Sequence, residues 1–273
     1  MLKQGKNDII YKGMVIGQMY EKIDCILKKI IEMPALEGSA LERITEDFTV
    51  NFTYNSNAIE GSTLTLEETS RLLKDGMSAP GKPLRFHLDA NGHRNAFLHV
   101  QELAAQAQGL TESDILTIHR MVLLSNVEAG GSYRDVNVYI SGSDVVLPGA
   151  DKVPESMREL LEKYNTAMRE WHIVKRVAMF HLLFESVHPF VDGNGRTGRL
   201  LINLDLMLNG YPPIDIKLQD RKRYYYCLQA FQGPDENELL MQQMVSEYLE
   251  HALTERLAAV QQAYRLTKEQ PER

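Results

Sequence analysis

IVKRVAMFHLLFESVHPFVDGNGRTGRL, residues 173–200, runs from an apolar segment through a glycine-rich loop into a second periodic segment. Over 173–187 apolar side chains fall on nearly every face of a helix, so the spacing predicts a helix at the buried centre of the fold. Gly193 and Gly195 flank Asn194, which lets the backbone turn tightly and present successive N–H groups. A further helix is expected from Arg196 to Asn209, closed by Gly210 with Pro212 beyond. A loop fixed at the end of a buried helix is a natural place for chemistry.

Helical periodicity continues outward in both directions. Residues 19–33 place Ile23, Ile26, Leu27, Ile30 and Ile31 on one stripe that ends before Pro34. A second helix is expected from about Ala40 to Glu60, and Thr65 with Glu68 forms a capping box opening a third through Leu73. Residues 74–83 read as a loop, 86–107 and 111–125 as helices, and Pro154 as a helix start. Only 130–150 breaks the pattern. There Val136, Val138 and Ile140 alternate with Asn137 and Tyr139, a Ser-Gly-Ser turn follows, and then Val145, Val146 and Leu147, which predicts a β-hairpin. The expected fold is mainly α, with one small β-hairpin and a helical N-terminal extension.

Composition limits the functions. The 273 residues are 44% apolar and 25% charged, as in soluble globular proteins. A net charge of −7 argues against a dedicated nucleic-acid binder and gives no attraction to anionic membranes, although RKR at 221–223 is locally basic. Cys25 and Cys227 are the only cysteines and lack C-x-x-C spacing, which suits a reducing compartment. The first residues lack the apolar core of a signal peptide, and no stretch approaches the ~20 apolar residues of a membrane span. The expectation is a soluble, cytoplasmic protein.

The loop carries the chemistry. Backbone donors at a helix N-terminus, together with Arg196 and Arg199 one turn apart, suit a polyanion such as a nucleotide phosphate chain. Asp192 is the loop's carboxylate, and Mg²⁺ beside phosphates is commonly held by one or two carboxylates. His188, at the end of the buried helix, is placed to act as general base on a hydroxyl. Each feature alone reads as a turn, a structural histidine or a solvated face; their convergence favours a site.

A second stretch, NSNAIEGS at 55–62, raises a problem of electrostatics. Ser56 and Glu60 are one helical turn apart and Gly61 marks the helix end. Glu60 therefore sits at a helix C-terminus, where the macrodipole disfavours negative charge.

His188 to Arg199 matches H-P-F-x-D/E-G-N-G-R-x-x-R at every fixed position, and on this motif the chain resembles the Fic (Fic/Doc) family. The similarity extends over roughly 51–247 and takes in LTESDILTIHRMVL (110–123), GSYRDVNV, NGYPPI and RKRYYYCLQAF. The resemblance implies transfer of AMP from ATP to a Ser, Thr or Tyr hydroxyl of a target protein. His188 would be the base, Asp192 the Mg²⁺ ligand, Phe190 the buried anchor, and Gly193, Asn194 and Gly195 the anion hole, with Arg196 and Arg199 on phosphates. The 136–147 hairpin corresponds to the family's flap, which docks the target as an added strand. Tyr224 and Tyr225 resemble its nucleoside-pocket tyrosines, though their spacing fits core positions equally, and Gln232 stands where relatives can carry an adenine-facing Asn.

SNAIEG at 56–61 resembles the family's inhibitory motif S/T-x-x-x-E-G/N, whose glutamate pairs with the second arginine, here Arg199. In such proteins the glutamate blocks the productive ATP pose, and in some it positions a water for AMP removal. The implied organisation is 1–40 N-terminal extension, 41–75 inhibitory-helix region, 76–255 catalytic domain and 256–273 C-terminal helix and tail. Self-modification and homodimerisation also follow from the resemblance. A silent nucleotide-binding regulatory module is the competing reading, which the complete His188–Asp192–Arg196 set disfavours. His181 and His119 read as structural, and His87, His93 and His99 as surface or local hydrogen-bonding groups.

Overall fold

The computed structural model describes residues 2–35, 38–107, 109–140 and 145–269. Among them the chain forms ten α-helices: α1 Leu2–Ile31, α2 Gly38–Ile59, α3 Leu66–Asp75, α4 Leu84–Gln106, α5 Glu112–Val122, α6 Val153–Asn165, α7 Ile173–Val187, α8 Asn194–Leu208, α9 Arg221–Gln232 and α10 Leu239–Glu269. The apolar α7 is the centre, packed by α6, α8, α9 and α10. Its Val174, Ala178, Leu182 and Phe184 are all buried, as the absence of a polar face demands. The neighbouring α8 packs on α4, α5 and α2 as well, so both arms of the helix–loop–helix are enclosed.

Thr65 and Glu68 close the expected reciprocal capping box at the start of α3, and Thr111 with Asp114 forms a second one at the start of α5. The first helix is longer than its stripe: α1 begins at Leu2 and lies along α10. His87 and His93 are buried rather than superficial. His93 packs edge-on to Phe52, and His87 accepts from the Ala79 N–H, so α4 carries histidines on its inner face. None of the described helices is long and apolar enough to cross a membrane.

The β-hairpin is the expectation that fails. None of the described residues forms a strand; 136–140 and 145–147 are irregular, and the Ser-Gly-Ser turn lies outside the described residues. The arms are tied at their base by side chains instead of a backbone ladder. Arg134 donates to the carbonyls of Val136 (3.2 Å) and Pro148 (2.6 Å), and Asn137 accepts from the Ala150 N–H at 2.9 Å. The alternation is one-sided but forms no ladder: Val138, Ile140, Val145 and Leu147 are half-buried, whereas Tyr139 is 90% and Val146 92% exposed. Two strands without a third, or a helix beneath them, are marginal in water.

Candidate functional site

The glycine-rich loop begins where α7 ends. His188 caps that helix in the left-handed region (φ 49°, ψ 62°), its N–H donating to Phe184 O at 2.9 Å. That conformation costs a non-glycine residue about 1–2 kcal/mol, so the surroundings must hold it. Arg134 does so from the side: its N–H donates to Pro189 O and its Nε to His188 O, both at 2.9 Å. Buried among carbonyls with no carboxylate partner among the described residues, this guanidinium joins the arm bases to the glycine-rich loop. Burial pushes its pKa down.

Phe190 anchors the loop. It is fully buried and stacks on His119 at 3.5 Å, with Phe184 and Tyr133 around it. His119 accepts the Gly131 N–H at Nδ1 and donates from Nε2 to Asp192 O, each at 2.9 Å. Burial lowers its pKa to about 4, which keeps it neutral, and the two hydrogen bonds fix that tautomer. Asn194 closes the turn from inside, its side chain accepting from Phe190 N and donating to Phe190 O, both at 2.9 Å. The Asn194 side chain is therefore a bracket, while its backbone, with Gly195 and Arg196, forms the first turn of α8. First-turn N–H groups lack intrahelical acceptors, and they are what an anion meets here. Gly193 enters this helix at φ 80°, where a side chain would be strained.

The two arginines occupy different environments. Arg196 is buried and paired with Asp89 of α4 (3.1 Å) and with Asp192 (3.2 Å). Asp89 was invisible in the sequence because it lies a hundred residues away with no motif around it. Asp192 is 71% exposed, and its Oδ1 takes both Arg196 and the Gly193 N–H; Oδ2 has no hydrogen bond among the described residues. Among those residues no three His, Cys, Asp or Glu side chains cluster as a metal cage. A single exposed carboxylate beside a phosphate cradle fits Mg²⁺, which completes its shell with water and phosphate oxygens.

Arg199 is 2% exposed and reaches α2. Its Nε donates to Ser56 Oγ at 3.1 Å, and its Nη2 to Ser56 O and Glu60 Oε1, both at 2.8 Å. On the other side its Nη1 donates to Tyr224 OH at 3.3 Å. Burial opposes the Arg199 charge, but Tyr224 and Glu60 outweigh it and push the guanidinium pKa upward. Gly61, at φ 95°, turns the chain away immediately after the glutamate. Tyr225 donates to Ile59 O (3.3 Å) and Glu60 Oε2 (3.4 Å), and Arg221 also donates to Ile59 O (2.7 Å). Tyr224 is buried and Tyr225 half-buried, so of the two only Tyr225 borders the opening.

Glycine at 195 is required by this arrangement: a Cβ there would stand 2.4 Å from Glu60 Oε1. The Glu60 carboxylate thus rests on the first turn of α8. The end of α2 disfavours its charge, but the start of α8 favours it, and Arg199 adds a charge-assisted bond. The sequence-level conflict at Glu60 is resolved by a helix more than a hundred residues away.

Residues 109–206 match the Fic/DOC family. A "Protein adenylyltransferase Fic" of Nematostella vectensis is 36% identical over 230 residues, covering 79% of this chain and 51% of the relative. This chain therefore spans about half the length of that relative. Among solved structures, a Fic domain-containing signaling protein from Bacteroides thetaiotaomicron superposes with a TM-score of 0.78 at 27% identity, covering 90% of this chain and 97% of the other. Fic-1 from C. elegans gives 0.80 at 26%, covering 90% and 72%. Taken with the intact motif, these matches place the chain in the Fic/DOC family.

Proposed function

We propose that this chain is a protein adenylyltransferase restrained by its own Glu60. The observation that carries the reading is the loop itself. Asn194, Phe190, His119 and Arg134 satisfy its interior, leaving the His188 imidazole and the α8 N-terminus for a substrate. ATP would lie with its phosphates on that N-terminus. A target hydroxyl oxygen attacks the α-phosphorus, its proton passes to His188, and the bond to the β-phosphate oxygen breaks to release pyrophosphate. Asp192 would hold Mg²⁺, whose charge offsets that developing on the phosphates. The first-turn N–H groups stabilise the same charge without reorganising.

Glu60 acts as a brake because it competes for that place. Its carboxylate lies against Gly195 and holds Arg199, so a γ-phosphate has neither the guanidinium nor the space. Displacing reacting atoms by even ~1 Å can cost about a hundredfold in rate. A second reading, removal of AMP from a modified target, is favoured by one feature: Glu60 remains 31% exposed beside the cradle, where its carboxylate can orient a water.

Incubation with ATP labelled at the α- or γ-position separates these functions. AMP transfer requires protein-bound label from the α-position alone. Label from the γ-position alone contradicts it, and loss of label from a pre-modified protein identifies the reverse activity.

A further inference from the structure

Beneath the loop lies a buried polar chain that neither the motif nor the mechanism above uses. Tyr224 accepts from Arg199 Nη1 at 3.3 Å and its hydroxyl lies 2.8 Å from His181 Nε2. Arg199 can only donate, which leaves the tyrosine proton available to His181. His181 lies on α7 one turn before Glu185, and Glu185 lies three residues before His188. A Cβ on Gly198 would stand 2.7 Å from His181 Nδ1 and 2.9 Å from Glu185 Oε1, so the bare glycine is what admits both groups against α8.

Glu185 is buried, and its Oε1 has no hydrogen-bond partner. His188 Nδ1 is buried as well and also has none. The carboxylate facing that nitrogen is Glu185 Oε2, at 3.6 Å, just beyond hydrogen-bonding distance. A donor and an acceptor cut off from water and left unpaired cost about 1–3 kcal/mol each. Catalytic hydrogen bonds are often long before substrate binds and tighten in the complex.

We infer that Glu185 is the positioning residue of His188: its carboxylate accepts the Nδ1–H of the imidazole and so leaves Nε2 as the nitrogen that takes the target proton. The inference rests on the adenylyltransferase reading for its consequence, but not for its geometry. The ionisable groups facing Glu185 are His181 on α7, His188 at the cap of that helix, Arg199 on α8 and Tyr224 on α9. Burial would raise the Glu185 pKa, but the His188 imidazole beside it and the positive charge of Arg199 outweigh it and hold the carboxyl below its ordinary value. An ionised acceptor is what orienting an imidazole requires, the same division of labour as in an acid–histidine pair that activates a serine.

The test is the tautomer of His188, read from long-range ¹H–¹⁵N spectra of the imidazoles at about pH 8, above the ordinary histidine range. The His188 signal is identified by its loss in His188→Ala. We expect Nδ1–H for His188 and, as an internal control for folding, Nε2–H for His119. Glu185→Met, which keeps length but removes the acceptor, is expected to abolish the His188 preference, and Glu185→Gln to retain it. In a Glu60→Gly background, Glu185→Met should then lower kcat for AMP transfer by a factor of roughly 10² with KM for ATP unchanged. An Nε2–H tautomer of His188 in the wild-type protein overturns the inference, as does an unaltered tautomer in Glu185→Met with His119 intact. Absence of AMP transfer in the Glu60→Gly parent contradicts the adenylyltransferase reading instead and leaves the tautomer result standing.

Discussion

The 188–199 loop is bracketed from within by Asn194, stacked on His119 through Phe190 and clamped by Arg134. The arms at 136–140 and 145–147 share that same arginine at their base, yet further out Tyr139 and Val146 stand almost fully in solvent. One region has its conformation settled before any substrate arrives. The other has an irregular backbone with exposed apolar side chains, which on the proposed function would meet a partner strand. The contrast suggests how one site combines exacting chemistry with recognition of a protein surface. On the proposed function, positioning would belong to the packed loop and recognition of the target to the arms.

The largest effect expected from breaking this division is at the base. His188→Ala should lower AMP transfer by about 10²–10⁴-fold, measured with α-labelled ATP in the Glu60→Gly background, while leaving thermal unfolding nearly unchanged. Phe190→Ala attacks the anchor and should cost about 3–5 kcal/mol of stability in chemical denaturation, because a fully buried aromatic is lost.

Acid sharpens the same contrast. Burial holds His119 beneath the loop, and His181 behind it, at about 4, against an ordinary value of 6.5. Below pH 6.5 the unfolded chain takes up protons that the folded chain refuses, so their stabilisation is complete above that value and is lost as pH falls towards 4. The loss should be of order 3 kcal/mol per histidine by pH 4, visible as a falling unfolding midpoint over that range. The smallest effect on the fold should come from Tyr139→Ala in the arms. It should leave stability within about 0.5 kcal/mol and ATP affinity unchanged while weakening the labelling of lysate proteins.

The same physics explains what was legible in the sequence. Helix α3 announces itself by its local cap, and α7 by its lack of a polar face, since these signals lie within one segment. The motif at 188–199 gave the loop its place at the end of α7. Asp89 and Glu185 carried no signal, and Arg134 only its place in GSYRDVNV, because their importance lies in what they meet: Arg196, His188 Nδ1 and the loop carbonyls. The alternation at 136–140 was real, and Val138 and Ile140 are half-buried, but alternation makes a strand only where a backbone ladder forms, and none forms among the described residues. Glu60 shows the reverse case. Its local environment looked unfavourable because its stabilising partners, Arg199 and the first turn of α8, lie far along the chain.

The central claim is that a loop already shaped for AMP transfer is held off by one carboxylate. It is tested most directly by comparing wild type and Glu60→Gly for protein-bound label from α-labelled ATP. The account predicts an increase of roughly a hundredfold in Glu60→Gly, abolished again by adding His188→Ala. Equal labelling of wild type and Glu60→Gly, or labelling that survives loss of His188, would contradict it.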